Sequence, residues 1–179
     1  MKKIIAFLFV LISIVSVAQN VKIDDLIDKG ELKYYNGKPF SGVAYSYFPN
    51  GKSFMEQHYK NGKQNGTEVV WFKNGNMSML TNYLDGKYDG IYKEWFESGN
   101  IKKEITYKHD YMNGKYTDWY DNGNKKSEGN YEDCHEVGHW IYYYKNGNKK
   151  EEGDYKFAEK TGVWKEYNED GTLKTEKKY

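Results

Sequence analysis

Cysteine and proline are nearly missing from this 179-residue chain, which has one Cys, Cys134, and two prolines. A single thiol closes no internal disulfide, so the fold stands on packing and hydrogen bonds unless Cys134 pairs with another chain. An excess of one charge is missing too. Lys plus Arg number 27 and Asp plus Glu 26, a formal net charge of +1. No net basic field draws in nucleic acid or an anionic membrane over a distance. No basic stripe marks a nucleic-acid-binding face. The glycines are single and periodic, so no glycine-rich phosphate loop is present. What abounds is aromatic: 18% of residues, 19 of them Tyr. Tyr and Trp suit a pleated, half-buried surface, and this content is too high for a disordered chain.

The first 18 residues stand apart. Lys2 and Lys3 give a basic start, an apolar run follows from Ile4 to Val17, and Ser16-Val17-Ala18 supplies small residues for a signal peptidase. This is the grammar of a secretory signal peptide cleaved after Ala18. The alternative is an uncleaved anchor, although the run is short beside the roughly 20 residues of a membrane span. No Cys follows the cleavage site to carry a lipid. Cleavage leaves 25 positive and 26 negative charges, a net of −1. The expectation is an exported protein: periplasmic, on the outer surface, or secreted.

The rest of the chain repeats with a period of 24 residues. Gly42, Gly66, Gly90, Gly114, Gly138 and Gly162 keep it, as do Gly51, Gly75, Gly99, Gly123, Gly147 and Gly171. So do Tyr59, Tyr83, Tyr107, Tyr131, Tyr155 and Tyr179. Three positions hold in six of six copies, with no insertion. Within a unit such as residues 90–107, "IYKEWF" and "IKKEITY" are β-prone runs on either side of Ser98-Gly99, where the other copies mostly have Asn-Gly. Two strands around a two-residue Asn-Gly predict a type I′ hairpin, since both central residues need φ > 0. Each unit is then one hairpin with a six-residue connection to the next. The expected fold is all-β: an elongated single-layer antiparallel meander of about six hairpins and twelve strands. Residues 19–41 form a lead-in segment and 42–179 the array. In the lead-in, "ELKYY" reads as a lone return strand capping the first hairpin, and "KIDDLIDK" as a short helix or coil. At the far end, the lysines of "KTEKKY" protect an edge strand.

A two-residue turn also sets the register. Gly114 then faces Tyr131, and the tyrosine covers the hole that a strand glycine leaves. Lys93 faces Glu104 and Lys165 faces Glu176. Trp95, Trp119, Tyr143 and Tyr167 face Lys102, Lys126, Lys150 and Lys174, whose stems lie over the rings. One face carries the closing tyrosines with Tyr92, Tyr116, Trp140, Trp164, Phe48, Phe72, Phe96, Tyr120 and Tyr144, together with Met77, Ile101 and Leu173. The other carries one aromatic per hairpin among Lys and Glu: Tyr47, Trp71, Trp95, Trp119, Tyr143 and Tyr167. Equivalent rings lie two strands apart, and these six are the candidate partner-binding residues.

The segments "GTEVVWFKNGNMSMLTNYLDGKYDG" (66–90), "GIYKEWFESGNIKKEITY" (90–107) and the introductory "YYNGKPFSG" (34–42) resemble MORN (membrane occupation and recognition nexus) repeats in their bacterial variant form. The resemblance covers residues 31–179. It implies elongated hairpin arrays that act as scaffolds, bind proteins or in some cases associate with lipids; some bacterial members carry antitoxin labels. The sequence departs from the pattern at Asp110, Cys134 and Ala158, where earlier connecting turns have Gly62 and Gly86. The later turns are therefore expected to differ in conformation.

One local cluster has chemical character: Asp133, Cys134, His135, Glu136 and His139. Its C-H-x3-H spacing completes no four-ligand metal site, and a flat sheet offers little concavity for a Cys–His nucleophile. Glu56, Glu104, Glu128, Glu152 and Glu176 recur because the repeat recurs, and pairing with Lys accounts for them more simply than glycosidase chemistry. No catalytic residue, metal or cofactor is assigned. The leading expectation is a non-enzymatic scaffold that binds a protein partner through aromatic-rich sheet faces. The alternatives are cell-wall or surface carbohydrate, peripheral membrane association, and an antitoxin or immunity role.

Overall fold

In the computed structural model, which describes residues 19–179, almost every residue of the array lies in a strand or a tight turn. The signal peptide expected at 1–18 lies outside the described residues. The order is β1 (Gln19–Lys22), one turn of 3-10 helix (Ile23–Asp25), β2 (Ile27–Lys29), β3 (Leu32–Tyr35) and β4 (Lys38–Pro39), followed by twelve antiparallel strands. These are β5 (Gly42–Tyr47), β6 (Ser53–Lys60), β7 (Lys63–Trp71), β8 (Met77–Leu84), β9 (Lys87–Trp95) and β10 (Ile101–Lys108). Then come β11 (Tyr111–Trp119), β12 (Lys125–Glu132), β13 (His135–Tyr143), β14 (Lys149–Lys156), β15 (Glu159–Tyr167) and β16 (Leu173–Lys178). β5 to β16 pair strictly in sequence, and β1 adds to the outer edge of β5, giving one 13-stranded sheet. Consecutive pairing is what short turns allow: each hairpin meets only its neighbours, as in a one-dimensional solenoid.

The two kinds of turn are placed the other way round from the expectation. The Asn-Gly tips are three-residue loops. In the first, the Gly51 N–H donates to the Phe48 carbonyl at 2.9 Å and the Phe48 N–H to the Lys52 carbonyl at 2.8 Å. Gly51 alone takes a positive φ, +83°. This is a type I turn closed by a glycine bulge, with Pro49 where that turn favours proline. The two-residue I′ turns lie instead at the connections, which are therefore not six-residue loops. Both central residues have positive φ at Asn61-Gly62, Asp85-Gly86, His109-Asp110, Asp133-Cys134 and Phe157-Ala158. Asp110 (φ 74°), Cys134 (66°) and Ala158 (65°) hold the conformation of the glycines they replace, so the later turns do not differ. The stacking of turns explains this tolerance. The second residue of each turn donates its N–H to the preceding connection: Gly86 to Gln64 (2.8 Å), Asp110 to Tyr88 (2.9 Å), Cys134 to Met112 (2.9 Å) and Ala158 to Glu136 (3.0 Å).

The lead-in also differs. β1 runs parallel to β5, with Gln19 opposite Gly42, while β2, β3 and β4 form a separate three-stranded sheet. "ELKYY" therefore does not cap the first hairpin by strand pairing. Its Tyr35 packs against a small core of Val21, Phe40, Ala44 and Tyr59, all under 9% exposed, joined by Ile23 and Leu26. Burying apolar residues at the end of the array covers a surface that in mid-array would meet the next hairpin.

Candidate functional site

The tip bulge decides which face each return-strand residue occupies. One extra residue in a strand moves the residues on its turn side to the other face. Away from the tips the expected register holds. Gly114 faces Tyr131, Lys93 faces Glu104 and Lys165 faces Glu176; the latter two pairs are bridged at 2.8 and 3.7 Å. Nearest the tip it shifts by one: Trp119 faces Lys125, Trp95 faces Ile101 and Tyr143 faces Lys149. The expected stacking of Lys102, Lys126, Lys150 and Lys174 on the row rings is therefore not formed. Lys102 binds Glu94 at 3.0 Å, Lys126 binds Asp118 at 3.1 Å, and Lys174 binds Glu166 at 3.3 Å. Lys150 lies over the Tyr144 ring at 5.9 Å. All four have crossed to the opposite face. Met77, Ile101 and Leu173 cross in the other direction, to stand opposite Trp71, Trp95 and Tyr167.

The first face is a packed aromatic layer. Tyr83, Tyr88, Tyr92 and Tyr107 meet with ring centroids 5.0–6.4 Å apart. Tyr116, Tyr131, Trp140, Tyr142, Tyr155, Trp164 and Tyr179 continue the layer at 4.8–6.5 Å. Trp140 and Trp164 are buried to 2% exposure, and their indole N–H groups donate to the carbonyls of Asn130 (3.2 Å) and Asp154 (3.1 Å). Burial pushes the Tyr116 hydroxyl up to about 12, with the nearby Asp118 carboxylate adding to it. The sequence reading missed two residues here. A Cβ on Gly129 would lie 2.2 Å from the Trp140 indole, and one on Gly153 2.3 Å from that of Trp164. The signal was present: the corresponding earlier residues are Thr81 and Ile105, opposite the smaller Tyr92 and Tyr116. By contrast, the residue pressed against Gly114 is Thr106, 3.2 Å from where an added methyl would lie, rather than the Tyr131 ring. The φ of Gly114, +116°, belongs to a bulge where the β10–β11 register slips between Ile105 and Tyr107.

The second face carries the six-ring row. Tyr47 is 52% exposed, and Trp71, Trp95, Trp119, Tyr143 and Tyr167 are half-buried. A column of carboxylates runs beside it. The Tyr143 hydroxyl donates to Glu128 at 2.6 Å and that of Tyr167 to Glu152 at 2.5 Å. Lys125 and Lys149 reach the same two carboxylates at 2.6 and 2.7 Å. The hydrogen bond to Glu152 raises the Tyr167 hydroxyl to about 12. For Glu152, burial alone would raise the pKa, but the hydrogen bonds from Lys149, Tyr167 and His139 outweigh it and hold the carboxyl at about 2. Ile101, Glu104, Thr117, Trp119, Lys125 and Glu128 line a shallow depression at mid-row.

The tips form a second ladder that the sequence reading did not see. Asn122 and Asn124 both donate to the carbonyl of Lys145, at 2.8 and 3.0 Å; Asn146 and Asn148 both donate to that of Glu169, at 2.8 and 2.7 Å. Asn74 and Asn76 hold Glu97 in the same way, at 2.8 and 3.0 Å. The Asn-Gly-Asn pattern thus clamps three of the tips to the next, while at the other two Lys52 alone reaches the Asn74 carbonyl (3.2 Å) and Asn100 alone that of Asp121 (3.0 Å).

The Cys134 cluster is not brought together. The thiol accepts the Met112 N–H at 3.2 Å, His135 meets the Asp133 carbonyl at 2.9 Å, and His139 turns to Asp154 at 3.0 Å. Among the described residues no three His, Cys, Asp or Glu side chains are placed to hold a metal ion, and no helix is long and apolar enough to cross a membrane.

No curated protein sequence matches the chain. A family model, the MORN repeat variant, matches five segments: residues 40–61, 88–109, 112–133, 136–157 and 160–179. The unmatched stretch keeps the same geometry, with Gly66 opposite Tyr83 and the Phe72 N–H on the Asn76 carbonyl at 2.8 Å. Such repeats generally take part in protein or membrane interactions and are generally non-enzymatic. With more than half of its residues matched, and with the same hairpin repeated through the rest of the array, the chain belongs to the MORN repeat variant family.

Proposed function

We propose that this protein is an exported, non-enzymatic scaffold that binds a protein partner through the row Tyr47, Trp71, Trp95, Trp119, Tyr143 and Tyr167. The observation that carries the reading is the contrast between the two faces. On one, the large rings pack on one another and Trp140 and Trp164 are 2% exposed. On the other, a single ring per hairpin stands half-exposed in a rim of paired Lys and Glu. Aromatic anchors within a polar rim are the usual composition of a protein interface. The carboxylates beside the row already hold lysines and tyrosine hydroxyls, which leaves the rings as the anchors.

The test is capture of the partner from the native cell envelope by crosslinking, followed by its binding to the Trp95→Ser and Trp119→Ser variants. The row reading expects binding to fall at least about tenfold in each, the effect of losing one hot-spot ring, while the far-ultraviolet circular dichroism stays that of the parent. Unchanged binding by the folded variants removes this face as the interface.

A further inference from the structure

The open row has a pitch, and the pitch selects a ligand conformation. Equivalent residues of successive hairpins lie two strands apart, about 9.4–9.8 Å. A polyproline II helix has three residues per turn and a rise of about 3.1 Å, so one of its edges recurs about every 9.3 Å. An α-helix turns every 5.4 Å or so, and a β-strand returns to one face about every 6.6 Å. Neither matches the row.

Two further features fit the same ligand. The hydroxyls of Tyr143 and Tyr167 reach Glu128 and Glu152 on the adjoining, preceding strands, so these half-buried rings lean over the neighbouring strand. The indole N–H groups of Trp140 and Trp164 are satisfied within the protein. Those of Trp71, Trp95 and Trp119 meet no acceptor among the described residues. A polyproline II backbone makes no internal hydrogen bonds, so its carbonyls are free to accept. Flat rings with free N–H donors at one-turn spacing are what such a helix docks on. The rim charges are paired, Lys93 with Glu104, Lys125 with Glu128 and Lys149 with Glu152, so the ligand needs no net charge.

Resting on the row as a protein interface, we propose that the partner presents a proline-rich segment in polyproline II conformation, with proline at every third residue. It lies across the hairpins so that each turn seats one proline on one ring, and the Trp71, Trp95 and Trp119 N–H groups donate to its carbonyls.

The experiment titrates two synthetic peptides of about 18 residues, six turns of three, into the full chain by calorimetry. One has proline at every third position; the other has the same composition with its six prolines placed as adjacent pairs, so that no two are three residues apart. The first is expected to bind at least about tenfold more tightly. Trp119→Ala should weaken it about tenfold, and Trp119→Phe, which keeps a ring but loses the N–H, about threefold. Equal affinity for the two peptides overturns the inference. So does failure of the every-third peptide to displace a captured partner whose binding depends on Trp95 and Trp119; in that case the row remains the interface and only the ligand conformation is wrong. Partner binding indifferent to Trp95 and Trp119 overturns the row itself. Quenching of Trp fluorescence by β-linked oligosaccharides, with neither peptide binding, overturns both in favour of a polysaccharide.

Discussion

Replacing Gly129 by alanine adds one methyl group at the point where this sheet has least room. Its position would be 2.2 Å from the Trp140 indole, against 3.4 Å for ordinary contact, so the ring must retreat by about 1.2 Å. It has nowhere to go. Tyr116, Tyr131, Tyr142 and Tyr155 surround it at centroid distances of 5.6, 5.2, 6.0 and 6.1 Å, and its N–H is tied to the Asn130 carbonyl at 3.2 Å. Overpacking of this kind costs about 1–3 kcal/mol, and loss of the indole hydrogen bond adds about 1 kcal/mol. The expected destabilisation is about 2–4 kcal/mol, read from urea unfolding followed by Trp fluorescence. Gly123→Ala is the control, because nothing lies within 4 Å of its added methyl and only the φ of +88° resists. It should cost about 1–2 kcal/mol, the left-handed backbone term alone. The double variant Gly129→Ile, Trp140→Tyr copies the Ile105–Tyr116 pair of the previous hairpin and should recover most of the loss. A Gly129→Ala effect below about 0.5 kcal/mol, the level of an ordinary surface change, refutes the packing argument.

Three other outcomes follow from the geometry. Glu152 is held at about 2 in the folded protein against 4.5 unperturbed, so its contribution to stability is complete above pH about 4.5 and fades as the pH falls toward about 2; the stability difference between wild type and Glu152→Gln should shrink over that window, and a difference constant from pH 7 to 2 would contradict the assignment. Asn124→Asp replaces the donor on the Lys145 carbonyl with an acceptor and should cost about 1–2 kcal/mol, with faster amide exchange in residues 144–148 as the local readout. Ala158→Gly relieves a φ of 65° and should raise stability by about 0.5–1 kcal/mol, the strain of about 1–2 kcal/mol less the added chain entropy of glycine, measurable as a higher urea midpoint.

The period, the strand order and the mid-strand register were legible in the sequence because three invariant positions define them without reference to turn type. Gly114 with Tyr131 and Lys93 with Glu104 pair as read. The turn type was misread because Asn-Gly serves both a two-residue I′ turn and a bulged three-residue loop, and the single extra residue carried Lys126 and Ile101 to opposite faces. The connecting turns were misread for a different reason. A left-handed residue usually signals Gly, Asn or Asp, yet Cys134 and Ala158 adopt it where a neighbouring turn supplies the hydrogen bond. The parallel strand Gln19–Lys22 carries no alternation signal, being only four residues long, and the Gly129–Trp140 fit becomes visible only when two hairpins are compared position by position.

The chain has five tryptophans, and they divide into two classes that one spectrum separates. Trp71, Trp95 and Trp119 stand on the open row, while Trp140 and Trp164 are buried with their N–H groups bonded to Asn130 and Asp154. In a titration with the captured partner, followed through the five indole N–H signals by nitrogen–proton NMR, the row as docking surface predicts shifts of the three open indoles and still signals for the two buried ones. Movement of Trp140 and Trp164 with the row unchanged would place the partner on the packed face and contradict the account.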